Sequence, residues 1–288
     1  MDIYSVFQIV NTALFGLFGL IIGSFLNVCI YRLPEKRTIV KGHSMCMTCG
    51  HELGPLDLFP LFSWLFLRGK CRYCHAPIAS RYAIIEGVTG TVFAVLAWQR
   101  RGVYIFPGAS GSDIVGFLKL ILLLGAVSTV IVAMMIQKDR KIGMYRFSIV
   151  LLCIAAVRLG LAFLDNSPIW IPFYSSLLGV LIAFLEIVLL AMFVPSVSMP
   201  FKTRITDAFN GNAVRAYFKE DNRPIRIMDS FLLSVCVLIG GPADIICLFC
   251  YFTVRTARKP QFFLPYLGII IAASALLGLV FLPNKIFW

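Results

Sequence analysis

Apolar residues gather in long runs at about 7–30, 83–99, 114–136, 147–163, 173–195, 230–254 and 263–282. Each is close to the roughly 20 residues a helix needs to cross a bilayer's hydrocarbon. The pattern predicts an all-α, polytopic helical bundle. The first run is longer than a signal peptide's apolar region, carries Asp2 in place of a basic leader and shows no small-residue cleavage signature, so it is expected to remain as a span. The run at 230–254 is interrupted by "GGPAD" at 240–244, where Pro242 lacks an N–H and the two glycines are poor helix formers. It is either one kinked span or two half-helices, which makes seven or eight crossings.

Composition turns that pattern into a membrane assignment. Of 288 residues, 59% are hydrophobic and 14% charged, outside the balance of soluble domains. The charges are segregated. Arg32, Lys36, Arg37, Lys41, Arg68, Lys70, Arg72 and Arg81 lie in 31–82; Lys138, Arg140, Lys141 and Arg146 follow the third run; Lys202, Arg204, Arg215, Lys219, Arg223 and Arg226 lie in 197–228. The 164–172 connection has no base and contains Asp165. The positive-inside rule then puts the three basic segments in the cytoplasm. A broken pair at 230–254 would return Arg255, Arg258 and Lys259 to the same side, which favours eight crossings. The net charge of +12 reads as orientation and contact with anionic membrane lipids, with no nucleic-acid partner. The chain divides into a first transmembrane helix (1–30), a cytoplasmic loop domain (31–82) and a membrane helical domain (83–288) containing the basic 197–228 loop.

The loop contains "CMTC" at 46–49 and "CRYC" at 71–74. Each short turn presents two sulfurs to one ion, and the intervening segment brings the pairs together, so Cys46, Cys49, Cys71 and Cys74 are expected to hold a structural zinc with no open position for water. Disulfides are disfavoured in a reducing compartment. The three histidines, His43, His51 and His75, all lie in this loop, with His75 the nearest competing ligand. Cys29, Cys153, Cys236, Cys247 and Cys250 lie in or beside apolar runs, and most of them read as buried small hydrophobes. "DLFPLFSWLFLRG", 57–69, supplies an apolar segment for the membrane surface or the helix bundle.

Ionisable groups near the spans are expensive, so each calls for a reading. Asp139 follows the third run and Asp229 precedes the sixth, both at the cytoplasmic face. Two such carboxylates can activate a water, one ionised as base and the other protonated as acid, their like charge driving the pKa values apart. The competing reading is that boundary aspartates cap helices and neutralise nearby bases. Glu86 is expected to face a cytoplasmic cavity, and Arg158 and Glu186 lie deep enough to pair.

"GSFLNVCIYRLP" (23–34), the two cysteine pairs, "DLFPLFSWLFLRGKCRYC" (57–74) and "SRYAIIE" (80–86) together resemble the N-terminal half of the type IV prepilin peptidases. "PIRIMDSFLLSVCVLIGG" (224–241) and "KPQFFLPYLG" (259–268) are similar more loosely to that family's Gly-Asp-x-Lys and Pro-Phe-Gly-Pro segments. The resemblance implies a multi-pass aspartic endopeptidase of the bacterial cytoplasmic membrane, its loop and active site facing the cytoplasm. It would cleave the basic leader of prepilins or pseudopilins after a glycine and, with two cysteine pairs, also methylate the new amino terminus using S-adenosylmethionine. No glycine-rich cradle for that cosubstrate is visible.

The chain departs from the family pattern at both acids. Where the family has Ile-Asp at the end of a span, Ile136 is followed by Gln137, and Asp139 takes an acidic position two residues further on. Asp229 matches the second aspartate, but Met228 and Phe231 replace the glycine and lysine. Gln cannot ionise. Either Asp139 serves after a local change of register, with the span ending before Ile136, or the chain is an inactive form that retains prepilin binding as an assembly scaffold. Activity that survives loss of Asp139 would point to another acid, such as Asp207 or Glu86.

Overall fold

The computed structural model describes residues 3–40, 42–100, 111–140 and 145–164, together with residues 173, 174, 177, 181, 232 and 235. Five helices are defined there: α1 (Ile3–Arg32), α2 (Phe62–Phe66), α3 (Arg81–Gln99), α4 (Gly111–Arg140) and α5 (Tyr145–Leu164). Each of the first four apolar runs has become a helix, extended by a few residues at its ends. Three segments, Ser5–Arg32, Arg81–Gln99 and Ile114–Asp139, are long and apolar enough to cross a membrane. The runs predicted at 173–195, 230–254 and 263–282 lie outside the described stretches, as do Glu186, Asp207 and Asp229. The chain forms two compact units, Met1–Ser128 and Thr129–Trp288, with α4 passing from one into the other.

Within the first unit α1 and α3 pair antiparallel, in a register marked by polar contacts at each end. Near the loop end of the pair, Asn27 Nδ2 donates to the Tyr82 carbonyl at 3.2 Å. At the far end Gln8 Nε2 donates to the carbonyls of Ala97 (3.2 Å) and Trp98 (3.0 Å), occupying acceptors that the last turn of α3 leaves open. Between them the backbones meet through glycine. A Cβ on Gly19 would stand 2.8 Å from the Gly90 Cα and 2.8 Å from the Phe93 Cβ, and one on Gly23 would stand 2.7 Å from the Glu86 Cα. Lipid tails are as apolar as leucine, so helices in a membrane associate by close packing of this kind and by interhelical hydrogen bonds.

Phe93, Leu96 and Ala97 are fully buried in this unit, while Phe18, Ile21, Phe25, Ile84 and Val88 point outward. An outward apolar face is what a spanning pair requires. Cys29 is buried as expected; Cys153, on α5, is exposed, so its apolar surroundings in the sequence did not place it in the protein interior.

Candidate functional site

The residues between α1 and α3 form two copies of one small turn, 25 positions apart. In the first, Cys46 N–H donates to the His51 carbonyl (3.0 Å), Gly50 N–H to Cys46 (2.9 Å) and Leu53 N–H to Ser44 (2.8 Å). In the second, Cys71 N–H donates to Ala76 (2.9 Å), His75 N–H to Cys71 (3.0 Å) and Ile78 N–H to Gly69 (2.7 Å). Single antiparallel bridges, Met45 with Glu52 and Lys70 with Pro77, close the two turns. Each turn reverses through a residue in the left-handed region just after its second cysteine, Gly50 at φ +69° and His75 at φ +58°. Glycine adopts that conformation freely and histidine only at a cost. His75 therefore takes glycine's place in the second turn, and no histidine joins the cysteine cluster.

The two turns direct their sulfurs to one point. The Sγ atoms of Cys46, Cys49, Cys71 and Cys74 all lie within 4.8 Å of one another, with Cys46 and Cys74 at 3.8 Å. A tetrahedral site with metal–sulfur bonds of about 2.3 Å has sulfur–sulfur edges of about 3.8 Å, whereas a disulfide would need about 2.05 Å. All four thiols are free. The cluster is compatible with one zinc ion.

Its electrostatics suit a cation. The N–H groups of Cys49 and Thr48 stabilise the Cys46 thiolate and, against some burial, lower its pKa to about 6. At Cys74 the Ala76 N–H acts in the same sense, but burial and the sulfurs of Cys49, Cys71 and Cys46 prevail and raise it to about 11. Four thiols this close cannot all ionise by themselves, and a divalent ion at their centre removes that conflict.

Asp57 ties the turns together. Its carboxylate accepts from Arg72 Nε (2.6 Å), from the Tyr73 hydroxyl (3.1 Å) and from the Gly54 N–H (3.2 Å), so one side chain joins the exit of the first turn to the two residues between the cysteines of the second. Burial opposes its charge, yet the Arg72, Gly54 and Tyr73 hydrogen bonds outweigh it and hold the carboxyl below the usual range. The His51 ring lies against Tyr73, centroids 3.6 Å apart. Its place is thus a packing one across the two turns. Neither Asp57 nor this stacking was foreseen; both join residues more than a dozen positions apart.

The acids fall as follows. Glu86 is buried, and its Oε2 accepts the Leu61 N–H at 2.7 Å, fastening the inter-cysteine segment to α3. Arg158 is buried on α5. In the second unit α4 remains helical through Arg140, with Gln137 buried and Asp139 exposed. The span therefore does not end before Ile136, the condition under which Asp139 could turn into the slot of Gln137. Two residues on a continuous helix are separated by about 200°.

Comparison with known proteins falls on the same third of the chain. Residues 17–100 match the bacterial peptidase A24 N-terminal domain. A prepilin leader peptidase/N-methyltransferase of Myxococcus xanthus is 49% identical over 75 residues, 26% of this chain and 22% of that protein. Proteins of the same name from Vibrio cholerae and Pseudomonas aeruginosa are 43% identical over 88 residues (27% of this chain, 34% of that protein) and 35% identical over 106 (29% and 37%). The chain thus spans well under half the length of these relatives. No solved structure matches it. The four cysteines, the close-packed Gly19, Gly23 and Gly90, and Glu86 all fall within the segment similar to that peptidase N-terminal domain.

Proposed function

We propose that this chain acts on type IV prepilins or pseudopilins at the bacterial cytoplasmic membrane, cleaving the leader as an aspartic endopeptidase and methylating the new amino terminus with S-adenosylmethionine. The observation that supports it most is the four-thiol module fastened to the α1–α3 pair inside the segment that matches the peptidase domain. In this reading the module faces the cytoplasm and holds one structural zinc through Cys46, Cys49, Cys71 and Cys74. With every position filled by thiolate, the ion organises the loop and leaves no site for water activation.

Cleavage is assigned to Asp139 and Asp229, with Asp139 acting from its own exposed position on α4 and not from the slot of Gln137. One carboxylate, ionised, takes a proton from water as it attacks the scissile carbonyl; the other, protonated, donates to the carbonyl oxygen. Asp229→Asn should abolish cleavage, and Asp139→Asn should do the same with yield and zinc content unchanged. Leader cleavage scored by pilin mobility checks both.

A second reading is favoured by one observation: α4 continues past Gln137, which is buried, while Asp139 is exposed. On this reading the chain binds prepilin as a proteolytically silent assembly scaffold. The starting protein would then be inactive, and Gln137→Asp would restore cleavage that still needs Asp229. Activity that survives Asp139→Asn would remove the Asp139 assignment.

The clamp at Asp57 yields a prediction independent of cleavage. Asp57→Ala should weaken zinc retention about tenfold in competition with a chromophoric chelator, because support residues around metal sites commonly contribute that much. Unchanged retention would show that the turns hold their geometry without it.

A further inference from the structure

Between the two cysteine turns the chain presents large apolar side chains outward. Phe59, Phe62, Leu65 and Phe66 are all exposed, Phe66 at 83%. Apolar surface gathered in this way marks an interaction site. Its position relative to α3 indicates what covers it. α3 has 19 residues, a length of about 28 Å, close to the roughly 30 Å of a bilayer's hydrocarbon, so nearly all of it is needed to cross. Glu86 is five residues into α3, about 7 Å along the axis, and its side chain leans back toward the helix N-terminus. Its carboxylate receives the Leu61 N–H, immediately before α2. Below the headgroups water is scarce, so a carboxylate acceptor for this backbone donor within the protein answers a real need.

We infer that α2 is an interfacial anchor, set into the headgroup–acyl boundary of the leaflet at the N-terminal end of α3, with lipid covering Phe59, Phe62, Leu65 and Phe66. Amphipathic segments lie about 5–10 Å into that boundary, which matches the level fixed by Glu86. The exposed bases Arg68 and Lys70 follow directly after α2, where anionic headgroups would meet them. Trp64 joins the anchor to the second cysteine turn, its Nε1–H donating to the Ile78 carbonyl at 3.1 Å. The thiol module is thereby held against the membrane surface. The inference takes α3 as a spanning helix and does not depend on whether the chain cleaves prepilin.

The test uses the full chain in vesicles of phosphatidylethanolamine and phosphatidylglycerol, with Phe66→benzoylphenylalanine as a photo-crosslinker and mass spectrometry of the products. Phospholipid adducts should dominate. Adducts to another segment of the same chain, to a second copy or to a different protein would overturn the inference, and so would an absence of adducts, which would place position 66 in water. Adding Glu86→Leu to the labelled protein should cause loss of most lipid adduct, while Glu86→Gln, which keeps an acceptor for the Leu61 N–H, should retain it. Full adduct yield with Glu86→Leu would overturn the role given to the Glu86 tie.

Discussion

Cys46→Ser is expected to empty the proposed zinc site and unfold the loop module, the largest effect of any single substitution considered. From 33 to 80, among the described residues, the only buried apolar residue is Cys71. A segment of that size has almost no apolar core to offset its chain entropy, so a cross-link at its centre must hold it. Structural zinc contributes about 10–16 kcal/mol in small zinc-binding peptides at neutral pH, and that binding energy is folding energy. Replacing one thiolate breaks the tetrahedron and leaves three sulfurs crowded without full compensation. Elemental analysis should find one zinc in the starting protein and almost none after Cys46→Ser, with the loop becoming sensitive to protease. Cys153→Ser, at an exposed cysteine on α5, should change neither. Full zinc content after Cys46→Ser would contradict the ligand set.

Gly19→Leu should have the second largest effect, separating α1 from α3. The Cβ alone would lie 2.8 Å from the Gly90 Cα, a backbone atom that cannot rotate away. Overpacking in a dense interior costs about 1–3 kcal/mol, and a collision with backbone belongs at the upper end or beyond. The effect should be graded by position. Gly16→Ala, whose Cβ would meet Ala94 at 3.4 Å, should be milder than Gly19→Ala, and Gly160→Ala on α5, with nothing within 4 Å among the described residues, should be neutral or slightly stabilising through helix propensity. Thermal unfolding in detergent measures the series. Equal midpoints for Gly16→Ala and Gly19→Ala would contradict the close approach.

The first four apolar runs were legible as helices, three of them long and apolar enough to cross a membrane, because a run of about twenty apolar residues admits few other structures in lipid. The cysteine cluster was legible because its spacing is local within each pair. The likeness between the two turns was not, since the first uses Gly50 and the second His75 in the left-handed position, and a histidine beside a cysteine invites reading as a ligand. The tie made by Glu86 was hidden for a related reason: its partner is a backbone N–H 25 residues earlier, and no side-chain pattern records a backbone donor. At the end of α4 the acids were visible but their faces were not. Whether Asp139 could replace Gln137 depends on where the helix stops, and "IQKDRKIG" contains no proline, and no glycine before Gly143, to stop it. The described helix runs through Arg140, which sharpens the question the sequence posed at Gln137.

Prepilin processing is the central claim, and the amino terminus of the pilin itself tests it. Membranes containing this chain should be incubated with a type IV prepilin from the same organism and S-adenosylmethionine, and the product's amino terminus read by mass spectrometry. The account predicts a pilin shortened after a glycine and methylated on the new terminal residue. Prepilin that keeps its full leader here, while a relative with the Ile-Asp pattern removes it under the same conditions, would contradict it.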